Sequence, residues 1–367
     1  MASDVTGAIE TIAARPMPVD PQAIEAEFLS IWRDASGSGY DQSSIRLRVL
    51  NFVAVGYRED DAGRFDAAMQ VLPARHPCRG ILALGTGDSE RLDASISARC
   101  WRLPTGARHM CSEDVRLTGR RDRAQELASA LLGLLVPELP VTVWLMDEPD
   151  VDGWIAMELL EVADRVFFDS AGEQDLASAY QQILRAARQF ELEPSDLGWG
   201  RLSPWRELIA QCFDGDRIEQ LGKINAIEID FAREHVPSEA LLLAGWLVSR
   251  LGLSLADLDV SSTERIHATL YARTRGVTVT LAPAGATAPC AISELRIRTS
   301  DVTFSVAMHA GNSHMHVREQ WDGEPVHRTV ASAPEDDASV ITRMLDEFAD
   351  PAIYADAVGS ALALLGT

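Results

Sequence analysis

Pro140-Val141-Thr142-Val143-Trp144-Leu145 reads as one buried strand, and the elements after it decide the fold. Five β-branched or apolar residues stand behind a proline without polar alternation, the pattern of a strand covered on both faces. A helix is predicted around Trp154 to Val162, a strand over Arg165–Phe168 and a long helix over Asp175–Phe190. Strand, helix, strand, helix with short connections builds a parallel sheet under helical cover.

Outward from there the same alternation holds. Pro16, Pro18 and Pro21 make an extended lead-in, and Ile24, Phe28, Ile31 and Trp32 recur at helical spacing over Pro21–Asp34. Strands are predicted at Ile45–Val55, Gly80–Leu84 and Ser95–Leu103, with another ending at Val115-Arg116-Leu117. Short helices are predicted at Asp66–Leu72 and around Leu127 to Leu135. Residues 1–193 are therefore expected to form an α/β N-terminal domain, layered, with a largely parallel sheet.

The character changes after Glu191–Pro194. Helices are predicted over Pro204–Phe213 and Asp216–Leu221, a strand over Ile224–Phe231, and an apolar helix from a Ser238 cap to Gly252. Consecutive strands come next: Arg265–Arg273, Val277–Leu281, Ala291–Arg298, Val302–Met308 and Met315–Trp321. Helices near Ser339–Phe348 and Ala352–Leu365 close the chain. Residues 194–367 are expected to be an α+β C-terminal domain with an antiparallel meander.

Composition excludes several classes. The 367 residues carry 33 basic and 55 acidic side chains, a net charge of −22. Nucleic acid and anionic membrane surfaces need a positive face, so neither is an expected partner. The longest apolar run, Ala240 to Val248, is far short of the roughly 20 residues of a membrane span. Met1-Ala2-Ser3-Asp4 shows neither a basic leader nor a long apolar stretch, which makes the cytoplasm the expected compartment. Cys78, Cys100, Cys111, Cys212 and Cys290 are odd in number and lack C-x-x-C spacing. A disulfide framework is not expected, although cysteines distant in sequence can still form a redox pair.

No catalytic constellation emerges. Gly85-Thr86-Gly87-Asp88 comes after a strand but has Glu90 where a dinucleotide fingerprint needs its third glycine. His314 and His316 share a strand face near His309, a weak zinc pattern that leaves metal binding unexpected. Asp169-Ser170 is no nucleophile elbow and reads as a helix cap. Lys223, the only lysine, has no phosphate-loop context. The pairs Asp60 with Asp61, Glu148 with Asp150, and Asp336 with Asp337 read as solvated surface. No cofactor is expected.

The most unusual segment runs from Asp196 to Leu208, DLGWGRLSPWREL. Ser203, Pro204 and Glu207 make a helix start. Trp199, Arg201, Trp205 and Arg206 exceed what a helix start requires, and Trp and Arg dominate interface hot spots. Arginines also hold phosphate bidentately. Two readings stand side by side: a domain junction with Asp196 paired to an arginine, or an interface or anion site.

Asp196–Asp214 resembles the signature block of the glucose-6-phosphate dehydrogenase assembly protein family, OpcA. Arg75-His76-Pro77-Cys78-Arg79, Cys111-Ser112-Glu113-Asp114-Val115 and Glu138-Leu139-Pro140-Val141-Thr142-Val143-Trp144 are similar to further blocks of that family, in the same order. Ala163–Ser170 and Leu242–Leu247 also fit; Gly200 and Leu145 depart from the family pattern. The resemblance implies a non-catalytic protein. Its members bind bacterial glucose-6-phosphate dehydrogenase, promote the active oligomer and support NADPH supply through the oxidative pentose phosphate pathway. It also implies a link to thiol redox state and thioredoxin, without assigning cysteines. Asp196, Trp199, Arg201, Trp205 and Arg206 become the expected partner-binding residues. The rival reading is a sugar-phosphate enzyme or sensor, with strand ends near Asp169 and arginines such as Arg201 gripping the phosphate.

Overall fold

The computed structural model describes residues 10–13, 17–37, 44–86, 91–102, 109–146, 154–262, 264–284, 291–309, 311, 313–332, 335–347 and 350–367. These residues fall into two compact units that are interleaved in sequence. The first holds the described residues up to Asp169, with Gln182–Ser195 and Asp336–Glu347; the second holds Ser170–Gln181, Asp196–Glu335 and Phe348–Thr367.

The first sheet has ten strands: β1 (Glu10–Ala13), β2 (Met17–Pro18), β3 (Ser44–Arg46), β4 (Leu50–Gly56), β5 (Cys78–Leu84), β6 (Asp93–Arg102), β7 (His109–Thr118), β8 (Val141–Leu145), β9 (Arg165–Phe168) and β10 (Glu193–Asp196). Its helices are α1 (Pro21–Gly37), α2 (Asp61–Val71), α3 (Ala124–Leu132), α4 (Trp154–Leu160) and α5 (Leu176–Phe190). The strand order is β1-β6-β7-β5-β4-β8-β9-β10, with β2 beside β6 and β3 beside β7. From β7 to β9 every pair is parallel, while β6 runs against β7 and β1 against β6. The α/β reading holds, and Val141–Leu145, behind Pro140, is β8, buried throughout.

Strands β4, β5 and β8 are apolar on both faces because both faces are covered. Ile24 and Phe28 of α1 and Leu127 and Leu131 of α3 pack on Val53, Ile81, Val115 and Val143. The predicted strand Ile45–Val55 is instead two, β3 and β4. Arg48, in the break, reaches the buried Glu113 carboxylate at 3.2 Å.

Glu113 and Asp114 are neighbours on β7, so they point to opposite faces of the sheet. Glu113 is fully buried and accepts from the Arg79 guanidinium at 2.6 and 3.0 Å. Arg79 also bonds Glu25 of α1 and the Leu134 carbonyl. On the other face Asp114 meets Arg99 at 2.5 Å, and Arg99 and Arg116 both bond Asp66 of α2.

Cys100 and Cys111 stand directly opposite each other on β6 and β7, with Cα atoms 4.1 Å apart, and are joined by a disulfide. One bridge is not a framework; it is a pairing of the kind that the sequence reading leaves open. Spacing in sequence carried no signal, because the pairing comes from the β6–β7 register. Cys78 and Cys212 are free and buried; Cys290 lies outside the described residues.

The second sheet has eight strands: β11 (Ala226–Phe231), β12 (Ser254–Ser262), β13 (Arg265–Ala272), β14 (Arg275–Pro283), β15 (Ile292–Arg298), β16 (Thr303–Met308), β17 (His314–Gln320) and β18 (Val326–Ala331). The later helices are α6 (Leu197–Arg201), α7 (Ser203–Gln211), α8 (Ser238–Arg250), α9 (Asp337–Asp346) and α10 (Pro351–Leu365), of which α9 belongs to the first unit. Strand order is β12-β13-β14-β11-β15-β16-β17-β18. The expected antiparallel character is present, but β11 is inserted beside β14 in parallel and interrupts the meander. Strands β12 and β18 are not among the strands predicted from the sequence, although β12 alternates apolar and polar residues over 256–261. Alternate residues such as Ile227, Ile229 and Phe231 face the core, which α8 and α10 cover. A Cβ at Gly245 of α8 would lie 2.2 Å from the Ala357 carbonyl oxygen of α10, so only glycine allows this helix contact. Ser238 is the first residue of α8 and not its cap; Pro237 holds that position.

Burial pushes the Asp114 carboxyl up to about 6, against the pull of Arg99. An acid raised in the folded state binds extra protons there between about pH 4 and pH 6, so its contribution to stability falls as pH rises through that window. Urea unfolding from pH 4 to pH 7.5 should show the stability difference between wild type and Asp114→Asn moving against wild type by roughly 2 kcal/mol, then levelling.

Candidate functional site: a crevice closed from within

Strand β4 lies mid-sheet. The chain moves one way to β5 and β7, then returns to the other side for β8 and β9. In open α/β sheets ligands bind at such a switch point, beyond the carboxyl ends of the strands, and the first strand-to-helix turn approaches the phosphates. Here that turn is Gly56-Tyr57-Arg58-Glu59-Asp60-Asp61, leading into α2.

The chain's own side chains fill it. Asp61 is fully buried, which corrects the solvated reading of the Asp60-Asp61 pair. Its carboxylate accepts from the Arg58 backbone N–H at 2.9 Å and from Arg64 Nη1 at 3.1 Å. A Cβ at Gly56 would lie 2.4 Å from Asp61 Oδ2. Arg64 also donates to the Met146 carbonyl, just past β8, at 2.9 Å and to Asp337 of α9 at 3.0 Å. Its guanidinium carbon lies 5.1 Å from the Trp144 ring centre. On the other side of the turn, Tyr57 packs on Gly85, where an added Cβ would come within 2.4 Å of its ring, and Arg121 lies 4.5 Å from the ring centre.

These residues do not fit a dinucleotide. The fingerprint needs glycines where Arg58 and Asp61 stand, so that backbone N–H groups can face a pyrophosphate. The Arg58 N–H is instead taken by a carboxylate, whose charge repels phosphate. Sequence reading looks for the fingerprint at Gly85-Thr86 because glycines recur there; Gly87–Glu90 lie outside the described residues. The signal that finds the true turn is a strand, one glycine and a helix start, without further glycines.

The five predicted partner-binding residues lie in the second unit. Asp196 is fully buried and starts α6 by accepting from the Gly198 N–H at 2.8 Å. It also accepts from the Ser170 hydroxyl at 2.6 Å, the Ser170 N–H at 3.2 Å and the Tyr354 hydroxyl at 3.3 Å. Burial, then the Asp196 charge, holds the Tyr180 and Tyr354 hydroxyls well above the ordinary tyrosine range. Arg206 lies over the Trp199 ring, 3.6 Å from its centre, and donates to the Trp199 carbonyl at 2.7 Å and Ser203 Oγ at 3.0 Å. Ser203 therefore receives a bond from Arg206 and does not cap α7.

The structure thus gathers Asp196, Trp199 and Arg206 with Ser170 and Tyr354. Trp199 and Trp205 are only 7% and 5% exposed, so they shape the surface from beneath it. Arg201 and Arg206 are half-buried and keep part of their side chains at the surface. Ser170 serves as a donor to Asp196 rather than as a nucleophile or helix cap.

Elsewhere, His309 and His316 rings are 5.4 Å apart, but His309 Nδ1 accepts from the Gly311 N–H. No group of three or more possible metal ligands occurs among the described residues. Lys223 is paired with Asp301 at 2.5 Å. Asp336 caps α9, and Glu148 and Asp150 lie outside the described residues. No helix among the described residues is long and apolar enough to cross a membrane.

The fold defines a class: a doubly wound, Rossmann-like unit together with a unit built on an antiparallel-rich sheet. An aldose-aldose oxidoreductase from Caulobacter crescentus shares 11% identity, with 87% of this chain and 96% of that chain matched at a TM-score of 0.52. Gal80p from Saccharomyces cerevisiae shares 11% identity over 86% of this chain and 94% of that one, at 0.53. At that identity the likeness concerns the fold alone. Sequence profiles are more specific: residues 69–185 match the glucose-6-phosphate dehydrogenase subunit N-terminal domain, and residues 193–358 its C-terminal domain. A protein of Synechocystis sp. provisionally named OxPP cycle protein OpcA is 32% identical over 190 residues, 49% of this chain and 38% of its own length. The chain therefore spans well under half of that relative. It belongs to the OpcA family of glucose-6-phosphate dehydrogenase assembly proteins.

Replacing Asp196 with Ala strands the Ser170 hydroxyl and the Gly198 N–H in a dry interior. Chemical denaturation should show a loss of about 3 kcal/mol, with Asp196→Asn losing less because it keeps an acceptor.

Proposed function

We propose that this chain works without catalysis, as an assembly factor and allosteric activator of glucose-6-phosphate dehydrogenase that supports NADPH production in the oxidative pentose phosphate pathway. The observation that carries the non-catalytic reading is the buried Asp61 carboxylate, bonded to the Arg58 N–H and Arg64 in the turn where a dehydrogenase of this fold needs glycines. Family membership supports the choice of partner and pathway.

An activator needs only a surface that binds the active state of its partner better than the inactive one, and that difference limits its effect. The contact surface in this reading includes Arg201 and Arg206, held in place from below by Asp196, Trp199 and Trp205. Redox control through a thiol reductant such as thioredoxin would act on the Cys100–Cys111 bond, which crosses β6 and β7.

The test measures NADPH formation by the same organism's dehydrogenase with and without this protein, with co-elution on size exclusion. A lower apparent substrate constant and a shared peak are expected, and Arg206→Ala should weaken activation while circular dichroism stays unchanged. Calorimetric titration of this chain alone with NADP+ should give no heat of binding. No complex and no effect, under both reducing and oxidising conditions, would remove the activator reading.

A further inference from the structure

Three stretches of the second unit meet at Asp196, and one of them comes from near the end of the chain. Asp196 accepts from the Gly198 N–H within its own segment and from the Ser170 hydroxyl and N–H, 26 positions earlier. It also accepts from the Tyr354 hydroxyl, 158 positions later. The local bond starts α6. The bond from Tyr354 does something else: it fixes where α6 begins relative to α10. Burial, then the Asp196 charge, holds the Tyr354 hydroxyl above the ordinary tyrosine range, so it stays protonated and keeps donating at neutral pH.

Tyr354 also meets Trp199. The ring centres are 5.8 Å apart and the planes stand at 62°, an edge-on aromatic contact. Trp199 is the platform on which Arg206 lies, 3.6 Å from the ring centre. Arg206 also donates to the Trp199 carbonyl and to Ser203 Oγ, both on its own segment, so the seating of that segment governs where Arg206 points. One buried side chain thus touches both the residue that starts α6 and the ring that carries Arg206.

Helix α10 is a firm support for it. Asp350 caps the helix by accepting from the Ala352 N–H at 2.9 Å, with Pro351 in the first turn. Tyr354, Ala357, Val358 and Ala361 recur at helical spacing and are all buried. With the Ala357 carbonyl against Gly245 of α8, α10 has little room to slide or turn.

We propose that Tyr354 is a positioning residue for the dehydrogenase contact surface: it seats Trp199, and through Trp199 it sets the direction in which Arg206 is presented. The role rests on Arg206 belonging to that surface. A guanidinium held in its bound direction loses little rotamer freedom on association, whereas a loose one loses more. Disturbing Tyr354 therefore weakens affinity for the partner and leaves the maximum activation unchanged.

The experiment takes two readouts on the full chain. Without the partner, phenylglyoxal modification of Arg206 is followed by peptide mass spectrometry. Tyr354→Phe keeps the ring and drops the hydroxyl, and should speed the reaction about threefold; Tyr354→Leu drops both and should speed it about tenfold. Each variant is then titrated into the same organism's glucose-6-phosphate dehydrogenase. The concentration for half-maximal activation should rise by similar factors, to the same plateau. In an Arg206→Ala background the Tyr354 substitutions should add little, because they act through Arg206; a general loss of stability would add in full. If circular dichroism shows Tyr354→Leu unfolded, Tyr354→Phe decides these points alone. Full additivity, or a lower plateau at an unchanged midpoint, overturns the proposal. A wild type that does not activate overturns the reading beneath it; a wild type that activates while both variants match it in midpoint or in modification rate overturns the role of Tyr354 alone.

Discussion

A carboxylate taken out of water must be met by donors or cations, and among the described residues four are taken in: Asp61, Glu113, Asp114 and Asp196, each 1% exposed or less. Each one fixes a different join. Asp61 closes the turn between β4 and α2. Glu113 ties β5 to β7 through Arg79, which also reaches α1 through Glu25. Asp114 ties β7 to β6 through Arg99, which reaches α2 at Asp66. Asp196 starts α6 and joins it to Ser170 and Tyr354. Apolar burial supplies most of the folding energy, but it is indifferent to direction. These charged joins are directional, and removing one partner leaves a stranded charge, so they specify which elements meet.

The same constraint separates the fold from the chemistry common in it. The strand order and switch point are those of dinucleotide-binding enzymes, while the turn that would hold the phosphates holds Asp61. Arg64 then reaches across to the Met146 carbonyl and to Asp337, so a helix from late in the chain closes the crevice. Fold alone does not carry function. The surface proposed to meet the partner, around Arg206, lies in the second unit.

Much of this is legible in the sequence. The apolar run Val141–Leu145, the helical spacing in the α5 segment and the strand–turn rhythm after Arg265 are local signals, and their elements appear near the expected bounds. The Asp196–Arg206 segment stands out by composition, yet its tryptophans face inward, because composition does not say which way a side chain points. Asp60-Asp61 misleads for a related reason: two adjacent acids look solvated until the backbone around Gly56 shows one of them enclosed.

Periodicity and proline and glycine placement by themselves determined the two kinds of sheet and the helices over them, since each depends on residues close together in the chain. Only the tertiary structure decided that Cys100 meets Cys111, that Arg64 meets Asp337 and that β11 slips between β14 and β15. Those meetings are set by register and by the return of distant segments, and no short window of sequence contains both partners.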